Sequence, residues 1–361
     1  MTPPDFHRVD RMMRAAVAQG VFPGGCLQVQ TAAAVQFTGY YGVRDLSDRL
    51  PVDETTVFDL ASLTKPLATA PAVWLLAQTG DVVLDAPLEN YLPGLLCGNA
   101  TLRELLCHTS GLPAYLPFHE TLRQMPVENR TAALRQLLKE TVPEAPPGTR
   151  TCYSDLGYMC LSWLVETVAG APFQTYVQRC LYHPCQADGL HFPGIGSHRG
   201  AAAYAATEAC PWRGYVLRGE VHDDTAYAAG GYQGHAGLFG RLADLGRLIQ
   251  VMTQAFQGRQ TGWPLSRETM QQFWKKDPVS GRTPGMDTPS GDRPSSGRYF
   301  GPATVGHLGF TGTSFWVDPA ADLSVILLTN RVHPSRDATA IRDFRPKIHD
   351  AVMQAAAGTV R

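Results

Sequence analysis

The chain has 361 residues, of which 44% are hydrophobic and 17% charged, and its formal net charge is −1. That size and composition describe a soluble globular protein able to bury a substantial core, in one large domain or two. Near-neutrality argues against nucleic acid or an anionic membrane surface as partner, and no apolar run of 18 or more residues offers a membrane span.

The first residues, Met1 to Arg8, lack a charged-then-apolar leader pattern. With Met1 as the start, the expected location is cytoplasmic. Asp5 to Gln19 reads as an amphipathic helix with Phe6, Val9, Met12, Met13, Ala16 and Val17 toward a core. Gly24-Gly25 breaks it, and Cys26–Gln30 and Val35–Tyr41 follow as paired strands. Phe58 to Ala61 then leads into Ser62-Leu63-Thr64-Lys65 and an apolar helix that ends at Gly80. Pro71, inside that helix, predicts a kink. Ser62 and Lys65 are three apart and share one helix face, about 5–6 Å between Cβ atoms. A serine hydroxyl needs a neighbouring base to become a nucleophile, and a buried lysine can shift its pKa toward that task. At the helix N-terminus the backbone dipole favours developing negative charge. Taken alone, the tetrapeptide also fits a capping serine beside a surface lysine.

From Ser62 to about Gln257 the chain reads mostly as helix punctuated by Pro and Gly loops. Pro146 to Arg150 forms a turn-rich run before Tyr153-Ser154-Asp155, which enters an apolar helix from Leu156. That loop position suits presentation of polar groups to a cleft, and a tyrosine near a lysine could act as a phenolate base. Lys276 to Arg298, rich in Pro, Gly, Ser and Asp, reads as a mobile loop. Gly306-His307-Leu308-Gly309-Phe310-Thr311-Gly312-Thr313 precedes a strand over Ser314–Pro319, and glycine there lets a substrate backbone approach closely. Strands continue to Asn330, and Asp337–Ala356 reads as a closing helix. Strands at both ends with helices between imply an α+β fold with an antiparallel sheet. One catalytic unit is expected, with an α/β lobe from 1–61 and 299–361, a helical lobe over 62–298, and the cleft between them.

The eight cysteines show no C-x-x-C spacing and read as buried small hydrophobes. His222, Asp223, Asp224 and His235 cluster in sequence without a ligand pattern, so no metal is expected, and their role stays open. No cofactor motif is present, since Gly231-x-x-Gly234-x-x-Gly237 follows no βαβ strand.

Taken together, the three clusters resemble the serine β-lactamase and penicillin-binding peptidase superfamily, whose signature is S-x-x-K, then Y-x-N or S-x-N, then K-T-G or H-x-G. The likeness is to the class C β-lactamase-like branch, which holds esterases, D,D-peptidases and muropeptide amidases. Leu105 to Pro113, Gly234 to Gly240 and Asp322 to Asn330 carry the likeness across nearly the whole chain. The resemblance implies the β-lactamase/transpeptidase fold, with Ser62 as the acylated nucleophile, Lys65 and Tyr153 as proton relay, and the Ser62 and Phe310 N–H groups as oxyanion hole. It also implies Asp155, His307, Gly309 and Thr311 as substrate-binding residues, with His307 in place of the third-motif lysine.

Two departures bear on substrate. Asp155 stands where Asn is usual, an acceptor-only carboxylate that would salt-bridge Lys65, shift basic duty toward Tyr153 and disfavour anionic groups nearby. Leu308 replaces a hydroxyl residue that helps hold a substrate carboxylate in penicillin-hydrolysing relatives. Both argue against β-lactam hydrolysis and leave amide or ester cleavage through an acyl-enzyme. Glu220 to Asp224 and the glycine turn resemble a subgroup near muropeptide amidases, which makes a peptidoglycan-derived fragment the expected small or peptide-like substrate. The alternatives are a broad carboxylesterase and a non-catalytic peptidoglycan-fragment binding protein. Oligomeric state is not legible.

Overall fold

The structure is a computed structural model that describes residues 5–357. Residues 1–4, where the segment read for a leader begins, lie outside the described residues.

Helix α1 (His7–Ala18) buries Val9, Met13 and Ala16, one face of the expected amphipathic pattern. Strands β1 (Gly24–Gln30) and β2 (Val35–Gly42) pair as an antiparallel hairpin, with Leu27 opposite Gly39. The C-terminal part of the chain supplies β3 (Val305–Leu308), β4 (Ser314–Asp318) and β5 (Leu323–Thr329). They join the hairpin in one antiparallel sheet of order β2-β1-β5-β4-β3, with Leu27 opposite Leu327 across the junction. This is the α+β arrangement expected from strands at both ends of the chain.

β1 and β5 are buried along their whole length, which explains the near-continuous apolar run Leu323–Thr329. On one face Leu27, Val29, Val325 and Leu327 pack with α1 and with the closing helix, Ile341–Ala357. On the other, Cys26, Ile326 and Leu328 join the large core shared with the helices. Each such buried aliphatic side chain contributes about 1.5–3 kcal/mol.

Two expectations need correction. Helix Leu242–Phe256 falls inside the 62–298 span, yet it lies against β1 and β5. Its Gly246 carbonyl accepts from Gln30 Nε2 at 2.9 Å, a close approach that a side chain at 246 would block against Gln28. Lys276–Arg298 is irregular but packed. Asp287 and Gly306 exchange backbone hydrogen bonds of 2.7 and 3.0 Å along the open edge of β3, and Trp74 Nε1 donates to the Pro284 carbonyl at 3.0 Å. Covering that edge satisfies strand groups that would otherwise be left unpaired.

The Ser62 segment is not one kinked helix. It runs as a 3-10 turn (Ala61–Leu63), a π turn (Lys65–Thr69) and then α2 (Ala70–Gln78). Pro71 has no N–H for the Leu67 carbonyl, which accepts instead from the Tyr182 hydroxyl at 3.2 Å. Among the described residues no helix is long and apolar enough to cross a membrane.

Candidate active site

Ser62 sits half-buried at the start of the turn that carries Lys65. Ala61 just before it adopts φ +49°, a left-handed conformation costing about 1–3 kcal/mol at a non-glycine residue. The buried Asp59 carboxylate holds this bend, accepting from Ala61 N–H at 2.8 Å and from His222 N–H at 2.7 Å.

Lys65 is fully buried, and its Nζ lies 3.2 Å from Ser62 Oγ, 2.7 Å from Asp155 Oδ1 and 3.3 Å from the His235 carbonyl. Burial works to lower its pKa, but the Asp155 carboxylate and the Tyr153 phenol outweigh it and raise the pKa. The short salt bridge anticipated from the Asn-to-Asp departure is therefore present, and Lys65 rests as an ammonium.

Tyr153 lies with its ring 4.7 Å from Lys65 Nζ, tilted against the His108 ring at 4.4 Å and the His307 ring at 5.9 Å. Burial, joined by the Asp155 charge, raises the phenol's pKa and outweighs the neighbouring Lys65 and Ser62, which lower it. His108 anchors the loop, since its Nδ1 accepts from Ser154 N–H at 3.0 Å and its carbonyl from Cys152 N–H at 2.8 Å. That explains the Leu105–Pro113 motif, to which sequence reasoning gave no role. Ser154 caps the helix Asp155–Ala169, which puts Asp155 in its first turn and points the carboxylate at Lys65.

His307 on β3 is buried, and its Nδ1 donates to the Leu308 carbonyl at 2.8 Å. Burial, with the Lys65 and Arg282 charges nearby, lowers its pKa to about 3. It is therefore a neutral ring where the family pattern has a lysine. Leu308 turns away and packs against the cluster shared by α1 and Ile341–Ala357.

Two of the expected substrate-binding residues do a different job. The buried Thr311 hydroxyl donates to the Asp59 carbonyl at 2.7 Å, and Thr313 donates to Leu60 at 3.1 Å. Gly309 spends its N–H on the Thr313 carbonyl at 2.7 Å, and a side chain there would collide with Thr313 and Leu60. Thr311 and Thr313 thus bolt the β3–β4 turn to the chain entering Ser62, and Gly309 closes the turn itself. The turn brings exposed Phe310 to the cleft. Among the described residues neither the Ser62 nor the Phe310 N–H has an acceptor within the protein.

A cavity of about 160 Å³ opens here, lined by Ser62, Tyr115, Asp223, Asp224, Phe310 and Arg336. His235 Nε2 meets Asp223 Oδ1 at 3.0 Å, and His222 Nε2 meets Glu208 Oε2 at 3.1 Å. Burial acts to raise the Asp223 pKa, but His235 and the Ala226 N–H hold it well below the usual carboxylate range. Both histidines pair with carboxylates; His222 lines the cavity, and His235 supports the lining residue Asp223. Among the described residues no group of three or more His, Cys, Asp or Glu is arranged to hold a metal. All eight cysteines are free thiols, and Cys152 is half-buried.

Sequence reasoning missed Arg282, Arg331, Arg336 and Tyr115. Arg282 lies 5.6 Å from the Tyr153 ring and 3.2 Å from Asp287. Arg331 Nε donates to the Phe310 carbonyl at 2.7 Å. None carries a local signal, because each reaches the cleft from a loop with no periodicity.

The family model described as Beta-lactamase matches residues 9–348. The chain is 32% identical over 311 residues to a putative D-alanyl-D-alanine carboxypeptidase of Escherichia coli, covering 78% of this chain and 71% of the relative. It is 31% identical over 360 residues to an N-acetylmuramyl-L-alanine amidase of Bacillus subtilis, covering 90% of this chain and 81% of the relative. Among solved structures, EstCE1, a hydrolase with promiscuous acyltransferase activity, superposes with a TM-score of 0.75 at 20% identity over 96% of this chain and 97% of its own. That likeness is one of fold.

Proposed function

Since the chain belongs to the beta-lactamase family of serine hydrolases, we propose that it cleaves an amide of a short polar acyl group, as in a peptidoglycan-derived fragment, through an acyl-enzyme on Ser62. The observation that carries this reading is the placement of Ser62 Oγ 3.2 Å from a buried Lys65 that Asp155 holds charged at 2.7 Å. A receptor has no chemical need for that costly arrangement. The small cavity beside Ser62, walled by Asp223, Asp224 and Arg336, favours a compact polar acyl group over a long apolar one. The curated relatives, a carboxypeptidase and a muramyl amidase by name, support an amide of cell-wall type.

In the resting site Lys65 is an ammonium and Tyr153 a phenol. Release of one proton from this pair to solvent leaves a phenolate beside the ammonium, and Tyr153 takes the Ser62 proton as Oγ attacks the carbonyl. The N–H groups of Ser62 and Phe310 receive the oxyanion. Tyr153 returns the proton to the leaving amine as the carbon–nitrogen bond breaks. Water then attacks the acyl-serine by the same relay, releasing the acid and restoring the hydroxyl.

Intact-protein mass spectrometry against a neutral short-chain ester, a muropeptide amide, a D-Ala-D-Ala peptide and a cephalosporin tests the reading. The muropeptide amide is expected to form an adduct on Ser62 that clears. Clearance of the ester alone would make the protein a carboxylesterase, and ligand binding without any adduct would make it a receptor. Cytoplasmic action on imported fragments belongs to the same proposal, and activity confined to an extracellular fraction would contradict it.

A further inference from the structure

One buried group remains unexplained by packing or by the relay. Arg345, in the first turns of the closing helix, is 7% exposed, and among the described residues it has no carboxylate partner within salt-bridge distance. Its Nη2 donates to the Gly309 carbonyl at 2.9 Å and to the Thr313 carbonyl at 2.8 Å, while its Nε is buried without an acceptor. A buried cation with no counter-charge is expensive, and burial draws its pKa down to about 9, which leaves it charged at neutral pH. Two carbonyls in a tight turn do not require a guanidinium, because a neutral donor or a water would satisfy them at lower cost.

The Gly309 carbonyl is the other end of the peptide unit whose N–H belongs to Phe310. A charged donor on a carbonyl fixes the plane of the peptide and draws electron density from its N–H, which becomes a stronger donor. Arg331 fixes the next unit, with Nε on the Phe310 carbonyl at 2.7 Å and its guanidinium 4.4 Å from the Phe310 ring. Arg331 likewise has no carboxylate within salt-bridge distance among the described residues, and its Nη1 is held by the Arg336 and Ala338 carbonyls at 2.9 and 2.7 Å. Two arginines without a carboxylate partner therefore grip the carbonyls on either side of the Phe310 N–H, at the residue that lines the cavity beside Ser62.

We propose that Arg345 is a positioning residue for the reaction, orienting and polarising the Gly309–Phe310 peptide so that the Phe310 N–H binds the tetrahedral oxyanion, with Arg331 as its second clamp. The proposal rests on the reading of Phe310 as an oxyanion donor. Its effect is confined to the transition state, because a ground-state carbonyl carries little of the charge that the N–H must meet.

The test compares the parent with Arg345→Lys, Arg345→Met and Phe310→Pro, using a neutral short-chain nitrophenyl ester and phenylboronic acid, which forms a tetrahedral adduct on Ser62. Removing one oxyanion donor costs about 10²–10³ in kcat, so misaiming one by Arg345→Met is expected to cost about 10–100-fold, with KM within about twofold. Phenylboronic acid affinity should fall by the same factor, and Arg345→Lys, which keeps the cation, should recover part of both. If Arg345→Met does not fold, Arg345→Lys decides alone, and unchanged boronate affinity in it overturns the proposal. A loss seen only in KM or only in melting temperature also overturns it. Phe310→Pro with full kcat would instead remove the oxyanion reading, and a parent that neither turns over the ester nor takes the boronate would remove the hydrolase reading.

Discussion

Replacing Asp155 by Asn probes how the relay is set. The Lys65–Asp155 contact is 2.7 Å, with the lysine side chain fully buried and the aspartate 22% exposed. At an effective dielectric constant of 20, unit charges at that distance attract by about 6 kcal/mol. Solvent at the open side of the carboxylate and the remaining acceptors reduce the net effect to the usual range for a close opposite charge, about 1–3 pKa units. Without the carboxylate, burial of Lys65 is opposed by Tyr153 alone of the two groups and the lysine's pKa falls. Lys65 and Tyr153 titrate as a coupled pair, so the acid limb of the profile reports the pair. In Asp155→Asn that limb of kcat/KM for a neutral ester should move down by about 1–3 pH units, so that relative to each enzyme's own plateau the activity below both limbs rises about 10–1000-fold. The plateau should fall, because a base of lower pKa accepts the serine proton less readily. The assay is kcat/KM across pH for parent and variant, with melting temperature checked at each pH. A limb that stays in place or moves up in a folded variant would refute the claim that Asp155 sets the protonation of the relay.

Ser62→Ala should abolish turnover and fluorophosphonate labelling, read by mass spectrometry, while Tyr153→Phe should lower kcat by about 10²–10⁴, the usual contribution of a positioned acid–base group. Retention of most activity in Tyr153→Phe would remove that residue from the relay. Thr311→Val should cost about 1–3 kcal/mol in denaturant unfolding, because it strands the buried Asp59 carbonyl that Thr311 serves at 2.7 Å. It should also reduce kcat more than KM, since the turn bearing Phe310 loses its bolt. Acid should destabilise the fold: burial lowers the pKa of His307 to about 3 and of His349 to about 4. Between those values and about 6.5 the unfolded chain binds more protons than the native one. The stability from both rings is therefore complete above about pH 6.5 and is lost as pH falls toward 4. His349→Gln should flatten that slope by up to about one proton in urea titrations run between pH 4 and 6.5, and an unchanged slope would contradict the assignment.

The legible part of this protein is what local chemistry repeats. Val9, Met13 and Ala16 announce α1 by helical spacing, and the Cys26–Gln30 and Val35–Tyr41 runs announce the first hairpin. Ser62 and Lys65 stand three apart, so the turn alone brings them together. Asp155 could be matched to Lys65 ninety residues away only because the order of motifs supplied the pairing that distance hides.

Tertiary structure decided the rest. Gly309 and Thr311 look like cleft residues in a glycine-rich strand, yet Gly309 spends its N–H on Thr313 and Thr311 its hydroxyl on Asp59, both in holding the turn. The polar composition of 276–298 predicts mobility, but bonding between Asp287 and Gly306 at the sheet edge ties the segment down and carries Arg282 to Tyr153. Arg331 and Arg345 show no pattern at all in the sequence, because an unpaired buried cation is recognised only by what fails to surround it. Periodicity and motif report which groups a segment offers. Which of them stay free for substrate depends on contacts between segments hundreds of residues apart, where a hydrogen bond to one neighbour removes a donor from every other.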